Sequence, residues 1–321
     1  DTLAGGKRLR ARFLHTGWRA VAEAAGASPA TPDAVITVAA SLEVFHAAAL
    51  VHDDIIDNSD TRRGRPAAHR ALEAQHVAAG WRGDPEAFGR SAAVLLGDLL
   101  LGWSDDLLEE GLAEASTAPA VRALYAQMRR EVTVGQFLDV AEESAWDTEP
   151  DERHADRALR VATHKSARYS VQQPLLLGAA LAGGDADQLD ALAAFGEPLG
   201  LAFQLRDDVL GVFGDAEVTG KPSGDDLREG KRTVLVALTR AALPASGRRL
   251  VDELLGDPEL DEDQIGMLQR TIRDSGALDE VEAIIAEDVR VADRALAGAR
   301  LGNAAVSELR DLARAATART A

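Results

Sequence analysis

Three features of the sequence predict an all-α protein. Alanine is abundant, at about 60 of 321 residues, and with Leu, Arg and Glu it favours helix. Aromatic residues make up only 4%, and β-branched runs of the kind that build strands are scarce. Apolar residues also recur at helical spacing behind recognisable start signals.

The elements follow in order. Thr31-Pro32 reads as an N-cap with proline at the first helical position, opening a helix that runs to about Asp57. Further helices are expected from about Pro85 to Leu107 and from Pro119 to Ala141. The polar stretch Glu142 to Asp156 reads as a loop, and a long helical pattern with a kink at Pro174 continues to about Ala182. A helix from about Asp187 passes through Phe203 to Phe213, and a loop rich in glycine and charge covers Gly214 to Arg232. The last third is helical, broken near Pro244 and between Gly256 and Asp263. No Ser/Gly linker and no fixed-period repeat divides the chain, so a single domain over residues 1–321 is expected.

Composition removes several functions. No cysteine is present, which excludes disulfide scaffolds, thiolate zinc sites and cysteine nucleophiles. The net charge of −18 argues against nucleic acid or an anionic membrane as the main partner. The most apolar stretch, Ala34 to Val51, contains Ser41, Glu43 and His46, so it reads as a buried core helix and no membrane span is expected. No cleavable leader pattern is visible, and a cytoplasmic location is expected.

Chemistry concentrates where that first apolar helix ends. Asp53 and Asp57 are four apart, so a helix puts their carboxylates on one face. The two charges repel each other, and the C-terminal end of the helix dipole adds to the cost. A hard divalent cation bridging them resolves the conflict, since Mg²⁺ takes carboxylate oxygens while keeping sites for water and phosphate. Arg62, Arg63 and Arg65 follow at once, suited to phosphate oxygens. A second acidic pair, Asp207-Asp208, precedes the loop that carries Lys221 and Lys231. The run Gly5-Gly6-Lys7-Arg8-Leu9-Arg10 is a further anion-binding candidate. Asp105, Asp106 and Glu109 have nearly the same acidic spacing, but no Lys or Arg follows until Arg122, so they read as an exposed helix end.

Taken together, these segments resemble the trans-isoprenyl diphosphate synthases (polyprenyl synthetases). The resemblance rests on Asp53-Asp54-x-x-Asp57 with Arg62-Arg63-Gly64, on Phe203-Gln204-x-x-Asp207-Asp208, and on Gly5-Gly6-Lys7-Arg8-x-Arg10. Smaller pieces agree in order: Phe45-His46, Gly97-Asp98, Gly135-Gln136-x-x-Asp139, Lys165-Ser166, and Asp225-x-Leu227-Arg228-Glu229-Gly230-Lys231. It runs from residue 5 to about residue 240. It implies a helical bundle around a deep central cavity, in a homodimer, with the two Asp-rich helix ends facing across the mouth. Three Mg²⁺ would hold an allylic diphosphate, with Asp53 and Asp57 ligating two ions and Asp207 the third. Asp54, Asp208 and Asp225 would act through water or by orientation. Arg62, Lys165, Lys221 and Lys231 would neutralise the allylic diphosphate, while Gly6, Lys7, Arg10, His46 and Arg63 would hold isopentenyl diphosphate. Gln204 and Ser166 would present oxygen dipoles beside the allylic cation. The released diphosphate would take the proton, so no dedicated base is required.

Two positions depart from the family pattern. Gly211 stands where a third Asp is common, and Ala11 where Pro is common. Asp207, Asp208, Gly211 and Asp215 also loosely fit the spaced metal motif of a class I terpene cyclase, but Lys7, Arg10, His46 and the Lys221 to Lys231 loop stand against it, since a cyclase has no second diphosphate to bind. A non-catalytic partner subunit is the other alternative, disfavoured by the intact Asp53, Asp57 and Asp207. For product length, Ala48 and Ala49 leave room below Asp53. Phe45, eight residues down and roughly 12 Å deeper at 1.5 Å per residue, is either the floor of the chain pocket or a core side chain. The expected product is C20 geranylgeranyl diphosphate, with C15 or C25 and beyond as alternatives.

Overall fold

Periodicity and caps predict helices, and helices account for 78% of the described chain. A computed structural model describes residues 5–27, 30–214 and 223–317. Among them the strands are a two-residue pair, β1 (Thr61–Arg62) and β2 (Arg65–Pro66). The chain forms two compact units, residues up to His15 with those from Pro29 to Ala118, and Thr16 to Ser28 with the rest.

The first unit contains the start of α1 (Leu9–Ala24), α2 (Asp33–Ile56), α3 (Ala68–Ala78) and α4 (Pro85–Leu112). Its core joins Ala47, Ala48, Val51 and Ile55 of α2 to Ala93 and Leu100 of α4, with Leu72 of α3 packed against them. Ala48 is therefore part of this core rather than open space, while Ala49 is half-buried. Length and hydropathy alone would let α2 cross a membrane, but it packs against α3 and α4. Pro85 takes the first turn of α4 behind Asp84, whose carboxylate accepts from Glu86 N–H at 3.0 Å.

The start of α2 differs from the expected one. Pro32, rather than Thr31, occupies the N-cap, with extended backbone and no side-chain cap. Thr31 is engaged elsewhere, in a 2.9 Å hydrogen bond between its Oγ1 and His15 Nε2.

The second unit comprises α5 (Ala118–Ala145), α6 (His154–Val161), a π-helix (Ala162–Gln172), α7 (Gln173–Leu181) and α8 (Ala186–Phe213). The short α9 (Asp225–Arg228) follows, then α10 (Val234–Ala242), α11 (Ala245–Leu254), α12 (Glu262–Asp274), α13 (Ala277–Ala295) and α14 (Asn303–Thr317). A capping box between Asp185 and Gln188 starts α8. Leu205, Val209 and Val212 of α8 lie in the core with Leu235 of α10, Ile265 of α12 and Val281 of α13.

Two boundaries shift here. The loop expected over Glu142 to Asp156 is shorter, because α5 continues to Ala145. Glu142 is polar but buried, with its charge met by Arg157 Nε at 2.5 Å. Trp146 just beyond is also buried, stacked on His154 and lying under Arg232. The kink at Pro174 is realised as a change of helix type. Proline lacks the N–H and excludes the preceding carbonyl from its normal place, and the turns before it are widened, with Gln173 N–H reaching back five residues to Arg168 O. Glycines make room for the wider coil. A Cβ on Gly135 of α5 would lie 2.3 Å from Lys165 N, and one on Gly200 of α8 would lie 2.3 Å from Ala167 O.

Candidate active site

Asp53 and Asp57 sit at a helix end closed by its own backbone. Asp57 is the C-cap of α2, with its N–H on Asp53 O at 2.8 Å. Asn58 takes the left-handed conformation at φ 51°, and Ser59 N–H returns to Asp54 O at 3.0 Å, a Schellman closure with Asn in place of Gly. Arg90 from α4 adds a cation there, donating to Ile55 O at 3.0 Å and Asn58 Oδ1 at 2.8 Å. That charge offsets the unfavourable end of the α2 dipole, where the carboxylates gather.

Asp54 faces the other way and is buried. Its Oδ1 accepts from Arg62 Nε at 2.8 Å and also from an Arg62 terminal nitrogen. Burial raises the Asp54 pKa, opposed by the Arg62 hydrogen bond. Arg62 lies 3.9 Å from Asp53 Oδ2, so Asp54 holds this guanidinium beside the acidic pair. The β1–β2 hairpin fixes it there: Arg63 and Gly64 both have positive φ, 54° and 70°, as a two-residue type I′ turn requires.

A cationic cluster surrounds His46. Burial, followed by Arg10, Arg63, Arg62 and Arg8, drives the His46 pKa well below its usual value, so the ring is neutral at pH 7. The Arg63 guanidinium lies against Gly6, where an added Cβ would stand 2.8 Å from Arg63 Nη2. Burial, then the neighbouring arginines, lowers the Arg63 pKa. Gly6, Arg10, His46 and Arg63 are thus brought together, and Lys7 is exposed on the segment before α1.

In the second unit, Asp207 is exposed on α8 and Asp208 is buried. Gln204 Nε2 donates to Asp208 Oδ1 at 2.7 Å. The Asp208 pKa is pushed up to about 8 by burial and then by the charge of Asp226, with Gln204 opposing. Lys231 bonds Asp226 Oδ1 at 2.9 Å and Glu229 Oε2 at 2.7 Å. Of the adjacent pair, Asp226 is buried beside Asp208 and Lys231, while Asp225 is half-buried. Its carboxylate also fills the space over Gly211, where a Cβ would overlap Asp226 Oδ2. Two adjacent aspartates look alike in sequence, and only the placement of α9 decides which one faces α8.

Lys165 is carried by the π-helix and bonds Asp139 Oδ2 of α5 at 2.5 Å. Ser166 is half-buried on the same segment. Lys221 lies outside the described residues. Asp106 and Glu109 are exposed as expected, whereas Asp105 is half-buried and α4 continues past them to Leu112.

Among the described residues no three His, Asp or Glu side chains form a ready cage for a metal. Mg²⁺ does not require one, since it is held by one or two carboxylates with waters and substrate phosphates. The donor set of Asp53 and Asp57, hard oxygens one helical turn apart, fits that mode.

The family model described as polyprenyl synthetase matches residues 1–272. The chain belongs to the polyprenyl synthetase family. Its activity is therefore that of an isoprenyl diphosphate synthase, a trans-prenyltransferase, and its all-α fold is that of these enzymes. A geranylfarnesyl diphosphate synthase of Aeropyrum pernix is 33% identical over 284 residues, covering 87% of this chain and 79% of its own. A (2E,6E)-farnesyl diphosphate synthase of Mycobacterium tuberculosis is 35% identical over 275 residues, covering 84% and 68%. A solved geranylgeranyl pyrophosphate synthase from Corynebacterium glutamicum, complexed with isoprenyl diphosphate and magnesium, superposes with a TM-score of 0.92. That structure is 40% identical and the match covers 100% of this polyprenyl synthetase and 88% of the solved chain.

Proposed function

We propose that this polyprenyl synthetase condenses isopentenyl diphosphate head-to-tail with an allylic diphosphate to give C20 geranylgeranyl diphosphate. The observation that carries the reading is the pairing of the Asp53–Asp57 helix end with the Arg62–Arg63 hairpin and the His46 cluster in one unit. Asp53 and Asp57 hold two Mg²⁺ and Asp207 a third. Bound magnesium supplies neutralisation of the leaving diphosphate's charge. Arg62, Lys165, Lys221 and Lys231 add cations for the allylic diphosphate. Asp54 orients Arg62, Asp139 orients Lys165, and Asp208 fixes Gln204. Gln204 and Ser166 turn oxygen dipoles toward the allylic cation, which must be kept from water. Gly6, Lys7, Arg10, His46 and Arg63 bind isopentenyl diphosphate, with neutral His46 donating a hydrogen bond. Incubation with Mg²⁺, isopentenyl diphosphate and C5, C10 or C15 allylic diphosphates, followed by chromatography, tests the reading. Cyclised hydrocarbon formed without isopentenyl diphosphate would instead identify a cyclase.

Chain length rests on Phe45. Its side chain is buried at 5% exposure, two turns below Asp53, with Ala49 between them. As the pocket floor it stops elongation at C20. Replacing Phe45 with Ala is expected to move the main product to C25 or longer, and an unchanged distribution removes Phe45 from that role.

Two further assignments complete the proposal. The enzyme is cytoplasmic, and it works as a homodimer. Leu95, Leu99 and Trp103 recur every four residues on α4, with Leu95 67% exposed, and α5 exposes Val134, Phe137 and Val140, with Phe137 at 69%. Apolar stripes of this size on a soluble chain mark an interface. Light scattering should give twice the chain mass, and Leu99→Glu with Trp103→Glu should give the monomer. A wild-type monomer at micromolar concentration would contradict the assignment.

A further inference from the structure

Glu43 carries no role in the scheme above, yet it is built into the cationic half of the site. It lies on α2 one turn before His46, with its side chain 13% exposed. Its two oxygens reach the segment that opens the chain. Oε1 accepts the backbone N–H of Ala11 at 3.2 Å, and Oε2 accepts from Arg8 Nη1 at 3.2 Å.

The first turn of α1 explains the need for such a contact. The early N–H groups of a helix have no partner within it, and a side-chain oxygen at the N-cap normally supplies one. Arg8 precedes the first helical residue, Leu9, and its side chain has only donors to offer. Its φ of 51°, after Gly5 at 79° and Gly6 at 80°, also places much of the segment in the left-handed region. A segment of this kind needs an external anchor, and the Glu43 carboxylate provides it while facing the positive end of the α1 dipole. The anchored segment in turn brings Gly6 against Arg63 and Arg10 toward His46. The field of Glu43 also acts on Arg63, countering the arginines around it.

We propose that Glu43 is a positioning residue for isopentenyl diphosphate: it clamps residues 5–11 to α2 so that Gly6, Arg10, His46 and Arg63 converge on the second diphosphate. The inference rests on the reading that these four bind isopentenyl diphosphate. Ala11 is part of the device, because the proline common at that position in the family has no N–H for Glu43 to accept.

Steady-state kinetics with both substrates varied separate this role from a structural one. Glu43→Ala is expected to raise KM for isopentenyl diphosphate about tenfold, the loss of a cap and an ion pair together. KM for the allylic diphosphate and kcat should stay within about twofold. Glu43→Gln, which keeps an acceptor oxygen, and Ala11→Pro, which keeps every charge, should each raise that KM by about two- to threefold. These two also serve if Glu43→Ala does not fold. A fall in kcat with KM unchanged, equal rises in both KM values, or wild-type behaviour of all three variants overturns the role of Glu43. Arg63→Ala is the control on the underlying reading. If it leaves KM for isopentenyl diphosphate unchanged, the half-site assignment fails; if it raises KM while the Glu43 variants do not, only the inference about Glu43 fails.

Discussion

Asp53→Asn is expected to lower kcat by about 10²- to 10³-fold while leaving the fold intact. The wild-type helix end is electrostatically unfavourable, with Asp53 and Asp57 one turn apart at the C-terminus of α2. Removing one charge relieves their repulsion and the dipole penalty, so the melting temperature should stay level or rise by a few degrees. Activity should fall because a hard cation loses an anionic oxygen, and a neutral amide oxygen replaces it poorly. The Mg²⁺ concentration for half-maximal rate should rise as well. Loss of activity with loss of stability would mean that Asp53 serves the fold. Activity within about threefold of wild type would remove it from metal binding.

Gly135→Ala is expected to cost both stability and rate. Its Cβ would meet Lys165 N at 2.3 Å, with His164 C and Lys165 Cα each at 2.5 Å. Ordinary contacts need well over 3 Å, so the π-helix must move away from α5. Backbone displacement of this kind costs about 2–3 kcal/mol. It also shifts Lys165 from Asp139, and misplacing a catalytic group by about 1 Å can cost about 10²-fold in rate. Gly266→Ala on α12 is the control, since only the flexible tip of Arg270, at 3.4 Å, lies near its Cβ position and alanine is the better helix former. A Gly135→Ala enzyme with the stability and kcat of wild type would show that the π-helix yields freely.

The contrast between these two sites shows what could be read from sequence. The placement of Asp53, Asp57 and Arg62 at one helix end is legible because four-residue spacing and local turn chemistry act over a few neighbours. The π-helix is not, because the room for its widened coil comes from missing side chains at Gly135 of α5 and Gly200 of α8, distant in sequence from Pro174. Pro174 signalled a disturbance without revealing its form. The true end of α5 was hidden by Glu142, whose charge looks like loop until Arg157 is placed beside it. Thr31 looks like a cap for a similar reason, since its hydroxyl finds His15 rather than the start of α2. The burial of Asp226 beside Asp208 is hidden because the orientation of α9, and not the motif, sets it apart from Asp225. The helical fold class, by contrast, followed from composition and period alone.

The central claim is tested most directly by supplying the enzyme with isopentenyl diphosphate and farnesyl diphosphate and sizing the product with and without Mg²⁺. Geranylgeranyl diphosphate formed only with the metal, together with loss of that product in Asp53→Asn, is the predicted result. Absence of condensation with any C5, C10 or C15 allylic diphosphate in the presence of Mg²⁺ would contradict the account.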